Sequence, residues 1–206
     1  MGCHRLKVDM GQVADRPATY ADIEALPPNV VGEIIYGRLV THPRPTPAHV
    51  HASSSLGDGL VGPFQKGRGG PGGWIILDEP ETNLGGHVVV PDIAGWRKSR
   101  MPVLPETATF EISPDWVCEI LSPSPQRHDK GAKRDLYAEI GVQHLWHIDP
   151  AARSLEVFRL SGTDWIVSPS HVEVDPVSAP PFDAITFSLG DLWHTADRPE
   201  PPSATN

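Results

Sequence analysis

Cysteine is scarce, basic residues are outnumbered, and no apolar run is long. Two Cys occur in 206 residues, Cys3 in an aperiodic N-terminal stretch and Cys118 in an apolar run. That placement argues against a disulfide framework and suits a reducing cytosol. No stretch reaches the roughly 18 apolar residues of a membrane-spanning helix, and no basic-then-apolar leader opens the chain. A cytoplasmic location with no membrane partner is the expectation, and Met1-Gly2-Cys3 is read as a chance match to an acylation signal. Lys and Arg number 17 against 26 Asp and Glu, a formal charge of −9. This weighs against nucleic acid, whose binding draws on clustered Lys and Arg. It leaves room for a local basic patch, and for a carboxylate cluster neutralised by a divalent ion.

What the chain has in quantity is turn-formers, 23 Pro and 19 Gly, so loops are many and helices few or short. The length suits one domain, expected over residues 17–195, between disordered tails at 1–16 and 196–206. Residues 19–26 read as a short helix capped by Thr19 and stopped by Pro27-Pro28. Residues 30–35 and 38–42 read as a hairpin around Tyr36-Gly37. Residues 45–60 read as a second helix with Val50, Leu56 and Leu60 loosely periodic, followed by a Gly-rich loop over 65–73. Strands are expected at 74–77, 87–95 and 116–121, the last two apolar on both alternating faces, as covered central strands are. A helix over 124–140 stops at Gly141. Strands at 145–148, 155–160, 165–168 and 184–189 follow, the last three as an antiparallel set. The order favours a mixed α/β (α+β) domain with a central mixed sheet flanked by helices.

Two carboxylates stand out. Asp92 shares a strand face with Val88 and Val90, and Glu119 one with Val117 and Leu121. A carboxylate on a covered apolar face is costly unless it is paired or holds a metal, and two such acids on successive strands suit a hard cation. A structural ion pair is the rival account of each. Lys133, Leu136, Tyr137 and Ile140 fall on one helical stripe, so Lys133 points at the sheet, where its amine can meet both acids. Its rival is an amine that snorkels to water. Asp129, four residues earlier, is placed to steady it.

Val90-Pro91-Asp92-Ile93-Ala94, the run from Pro114 through Glu119 to Ser124, Asp129 with Lys133 and Tyr137, and the run from Gly141 to Pro150 together resemble the Uma-two family. This is a bacterial group placed among restriction endonucleases of the PD-(D/E)XK nuclease superfamily. Gly32-Glu33-Ile34-Ile35-Tyr36-Gly37 resembles its N-terminal Glu-x-x-x-Gly element. The likeness spans residues 19–193. It implies a restriction-endonuclease-like core of about five strands between helices. It also implies Mg²⁺ or Mn²⁺ held by Asp92 and Glu119, with the Ile120 carbonyl as a further donor. Lys133 would assist the attacking water, Glu33 would be an additional acid of the site, and the substrate would be nucleic acid, expected to be DNA. Two departures stand out: Leu121 replaces the usual Lys two residues after the Glu, and Tyr36 replaces the acid before the hairpin Gly. Exposed late strands and the habit of the superfamily make a homodimer an expectation.

Other residues carry less. His49 resembles a recurrent family His, yet His49 and His51 read mainly as surface or core residues. The spacing of His42, His49 and His51 matches no zinc pattern. Ser53-Ser54-Ser55 lacks a nucleophile elbow, and the Gly67–Gly73 loop lacks the Gly-Lys-Ser/Thr of a triphosphate loop. Glu79 and Glu81 read as loop acids, with Glu79 within conceivable reach of a metal. Arg97, Lys98 and Arg100 could guide a phosphate backbone toward Asp92. Trp146 and Trp165 read as packing residues. A fold-retaining module without catalysis is the alternative to a nuclease.

Overall fold

The computed structural model describes residues 16–42, 44–122 and 129–193. The expected tails lie outside these, apart from Arg16, as does the start of the helix expected from residue 124.

Helix α1 (Tyr20–Glu24) begins where expected. The Thr19 N–H donates to Asp22 Oδ2 at 2.7 Å, which satisfies one of the helix's orphan donors locally. Strands β1 (Val31–Ile35) and β2 (Arg38–His42) form the expected hairpin, with Ile35 opposite Arg38. Its two turn residues are both left-handed, Tyr36 at φ 49° and Gly37 at φ 72°. That turn follows the natural twist of the strands. Tyr36 is held there by its N–H on His87 Nδ1 and its hydroxyl on Glu139.

Strand β3 (Trp74–Asp78) is followed by β4 (Thr82–Leu84) and β5 (His87–Val89), which join the hairpin in a small sheet ordered β2-β1-β5-β4. The large sheet adds β6 (Ile93–Arg97), β7 (Trp116–Ile120), β8 (His144–Asp149), β9 (Ser154–Ser161) and β10 (Asp164–Val167), in the order β10-β9-β8-β7-β6-β3. A two-residue strand, β11 (His171–Val172), also pairs with β9. β7 and β8 run parallel, joined by a crossover through α3 (Asp129–Glu139), as parallel neighbours require.

Both faces of the large sheet are covered. Trp116, Cys118, Ile120, Trp146 and Ile148 pack under α2 (Pro47–Leu60), its wider-wound extension Val61–Gln65, and the C-terminal segment. Ala94, Trp96, Val117 and Leu145 pack under α3 and the small sheet, against Leu136, Tyr137, Ile35 and Val89. Two-sided burial explains why these strands read as continuous apolar runs.

Three expectations change. Residues 87–95 are not one strand: the chain leaves the small sheet after Val89 and enters the large one at Ile93. Pro91, with no N–H to give a ladder, lies at the break. Residues 184–189 contribute only β13 (Phe187–Ser188), paired with β12 (Pro176–Val177) rather than with β9 or β10. Pro176, Pro180 and Pro181, in the segment that leads into β13, have no N–H to give a longer ladder. In α2 the buried positions are Ala52, Leu56 and Leu60, whereas Val50 is exposed.

Candidate active site

The sheet break between β5 and β6, the end of β7, the start of α2 and the inner face of α3 meet at one place. Alternation along β7 sends Val117 and Glu119 to the α3 side, while Trp116, Cys118 and Ile120 face α2. Lys133 and Tyr137, one turn apart on α3, reach down to Glu119. The Lys133 Nζ lies 2.9 Å from Glu119 Oε1 and 2.8 Å from Glu33 Oε1. It also donates to the Val90 carbonyl at 3.4 Å, so its three N–H bonds all have protein acceptors. The Tyr137 hydroxyl donates to the same Glu119 oxygen in a short hydrogen bond, which leaves Oε2 for other partners.

Glu33 is fully buried. Its Oε1 also accepts from the Val90 N–H at 2.6 Å, and its Oε2 accepts from His42 Nε2 at 2.6 Å. The hairpin register explains His42: Glu33 stands opposite Val40, and His42, two residues on, shares that face. Asp92 completes the site. Its Oδ2 accepts from the Ile120 N–H at 2.6 Å and its Oδ1 faces His49 Nε2 at 3.0 Å. Ser122 Oγ lies 3.4 Å from the other ring nitrogen of His49. A neutral His49 that donates from Nε2 accepts the Ser122 proton at Nδ1. In an extended strand the N–H and C=O of one residue face the same edge, so the Ile120 carbonyl lies on the Asp92 side.

Charge is unevenly compensated. Burial pushes Glu33 up, but the Lys133 ammonium and the His42 hydrogen bond outweigh it and hold Glu33 well below the usual carboxylate range. For Glu119 burial prevails and raises it to about 7: Lys133 and the Tyr137 hydrogen bond pull it down, but Asp92 and Glu33 repel its charge and add to the effect of burial. One ammonium between two buried acids leaves one of them short of a counter-charge, and the pair titrates as a unit. Burial lowers Lys133, yet Glu119 and Glu33 override it, so the amine stays protonated. His42 is raised chiefly by its hydrogen bond to Glu33. His49 is lowered by burial but raised overall by Asp92.

The donor set suits a small hard cation. Among the described residues no three His, Cys, Asp or Glu side chains gather into a cage for an ion. Mg²⁺ needs no such cage, since it keeps waters and takes one or two carboxylates with substrate phosphate. Asp92 and Glu119 offer oxygens, repel one another, and have side chains still 19% and 14% exposed. Glu33, at 0%, is sealed behind the lysine and does not reach solvent.

A family model for Uma2, described as "Putative restriction endonuclease", matches residues 17–190. The chain belongs to the Uma2 family. A solved structure, described as "a putative nuclease belonging to DUF820" from Anabaena variabilis ATCC 29413, matches with a TM-score of 0.67 and 27% identity. The match covers 86% of this chain and 98% of that one. No curated protein matches. The restriction-endonuclease-like fold expected from the sequence is therefore the fold observed, with six strands in the path of the large sheet rather than about five.

In this Uma2 chain, then, the structure brings Asp92, Glu119, Lys133, Glu33 and Ile120 together in one place. The Asp129 side chain lies outside the described residues. His49 was undervalued: at the buried stripe of α2 it stands one turn before Ala52, with Leu56 and Leu60 beyond, and that spacing was the available signal. His42 was missed as a partner for Glu33. Tyr137 was placed on the sheet-facing stripe of α3, but not as a partner of Glu119. His51 is half-buried on the same helix. Glu79 is exposed, its N–H donates to the Asp92 carbonyl at 3.0 Å, and its charge helps raise His49. Glu81 accepts from the Tyr20 hydroxyl. Trp146 is core and Trp165 donates to the Arg134 carbonyl. The basic run does not line this site: Arg97 ends β6, whereas Asp92 precedes its start. Five residues at about 3.3 Å each set them roughly 16 Å apart.

Proposed function

We propose that the chain is a divalent-metal-dependent endonuclease that hydrolyses phosphodiester bonds of DNA. The observation that carries this reading is the Lys133 amine bridging Glu33 and Glu119 beside Asp92, with Asp92 and Glu119 both still partly exposed. Asp92 and Glu119, with the Ile120 carbonyl, would hold Mg²⁺ or Mn²⁺. Such an ion, when bound, supplies a Lewis acid that relieves charge on the phosphoryl oxygens and activates water. Lys133 contributes mainly through Glu119: with Tyr137 it fixes one carboxylate oxygen and leaves the other for an ion. Its positive charge also favours the negative charge that develops on the phosphoryl group. His49 and the Ile120 N–H hold Asp92 in one rotamer, and Glu33 with His42 anchors the lysine from behind.

Incubation of the protein with plasmid DNA and Mg²⁺ or Mn²⁺, beside Asp92→Ala and Lys133→Ala, tests the reading. Loss of cleavage in both variants is expected, and equal cleavage by all three proteins refutes it.

A second reading has its own support. Asp92 already faces His49 and Glu119 already faces Lys133, so the acids are internally paired, as a fold-retaining binding module would have them. Calorimetric titration with Mn²⁺ separates the two: measurable heat favours the nuclease, and none favours the module.

A further inference from the structure

Among the described residues of this acidic chain, basic side chains concentrate at the end of the sheet opposite the acids. Lys66 and Arg68, on the Gly-rich loop after α2, are exposed, as are Arg97, Lys98 and Arg100 after β6. The structure ties the two segments together: the Lys98 N–H donates to the Gly73 carbonyl at 2.8 Å, and its Nζ to the Gln65 carbonyl at 3.2 Å. The Arg97 guanidinium carbon sits over the Trp74 ring, 4.5 Å from its centroid, so the group is held against the ring rather than free to sweep. Arg159 extends the surface across the strand ends, since it stands opposite His144 in the β8–β9 register. His144 reports the resulting potential: after burial, the charges of Arg97 and Arg159 are what hold it below its usual value, against Asp115 and Asp183. Asp115 is largely spent on Arg100, at 2.9 Å, and on the Arg97 N–H. Between residues 59 and 77 and between 93 and 105 there is no acidic residue.

We infer that this surface, built by Lys66, Arg68, Arg97, Lys98 and Arg159, is a second contact for the substrate, and grips the phosphodiester backbone of DNA away from the acid site. The identity of the partner rests on the nuclease reading; the surface itself rests on charge. A site of acids repels phosphate until a cation is bound, so a nuclease of net charge −9 needs its grip on the backbone elsewhere. Asp92, just before β6, and Arg97 at its end are separated by about 16 Å. With about 3.4 Å of axis per phosphate along one strand, a DNA that occupies both sites spans about five nucleotide steps.

Fluorescence anisotropy with a labelled 20-base-pair duplex tests this in excess chelator, where cleavage plays no part. The whole chain is compared with a Lys66→Glu, Arg68→Glu, Lys98→Glu variant and with Arg38→Glu, a basic residue on β2. The triple variant is expected to bind at least tenfold more weakly at moderate salt. Its plot of log affinity against log salt should be shallower by about 0.9 for each phosphate that the protein no longer neutralises. Arg38→Glu should match the parent. Equal affinity and slope in parent and triple variant, no binding by the parent, or an equal loss in Arg38→Glu would each overturn the inference. Because no metal is present, a failure of the plasmid-cleavage test leaves this result readable, and a failure here leaves the cleavage result standing.

Discussion

Replacing Lys133 with Met keeps much of the buried stem and removes only the charge, so it isolates what the amine does for the fold. The structure predicts a large effect because Glu33 is fully buried and ionised, with its Oε1 against that ammonium. Breaking a buried pair by removing one partner typically costs about 3–5 kcal/mol, since the remaining charge is stranded. Glu119 escapes most of the penalty: with a pKa pushed up to about 7, it takes a proton readily near neutrality. Glu33 does not, and its remaining partners, His42 and the Val90 N–H, share one carboxylate that the lysine no longer balances. For a domain of this size each kcal/mol moves the melting midpoint by roughly 2–4 °C, so a drop of about 10 °C is expected at pH 7. The double variant Glu33→Gln, Lys133→Met should recover more than half of that loss, because the stranded charge has gone. The sign of the pH dependence follows. In the parent Glu33 is held at about 2, so the stability that the amine supplies through it is fully present above the ordinary value of 4.5 and is lost only as pH falls through about 2; the deficit of Lys133→Met should therefore be large at pH 7 and close only toward pH 2. Urea unfolding at pH 7 and at about pH 2 measures both. A loss under about 1 kcal/mol at pH 7, or a double variant no better than the single, would refute the claim that Glu33 depends on the amine.

Two further outcomes follow from the geometry. Mn²⁺ should bind more tightly as pH rises through about 7, with release of up to one proton per ion, because Glu119 must lose its raised-pKa proton to ligate; calorimetry in buffers of different ionisation enthalpy reads this, and a pH-independent affinity would count against Glu119 as a ligand. Gly95→Ala should destabilise by about 1–3 kcal/mol, since a Cβ there would lie 3.2 Å from the Trp116 ring and 3.3 Å from that of Trp74; an unchanged urea midpoint would contradict it.

The site was legible wherever a single periodicity decided the matter. Alternation along β7 separates Glu119 from Cys118, and a four-residue step on α3 puts Lys133 above Tyr137. The Tyr36-Gly37 turn set the register that places Glu33 opposite Val40. What stayed hidden depended on meetings between segments far apart in sequence. The switch from one sheet to the other at Val90-Pro91-Asp92 leaves an uninterrupted apolar pattern, because both sheets bury their strands. The pairing of His49 with Asp92 spans 43 residues, and the unremarkable Ala52 concealed the stripe that aims the ring. The basic run expected to guide a phosphate backbone toward Asp92 begins about 16 Å from that acid, since nearness in sequence along an extended strand is distance in space.

Val90 is gripped on both sides by the acid–amine group: its N–H by Glu33, its carbonyl by Lys133. The two sheets are therefore riveted to each other by the same side chains that are expected to serve chemistry. Stability and catalysis cannot drift independently at that joint. A descendant of this chain that gave up cleavage would still need an acid and an amine there to keep its two halves in register.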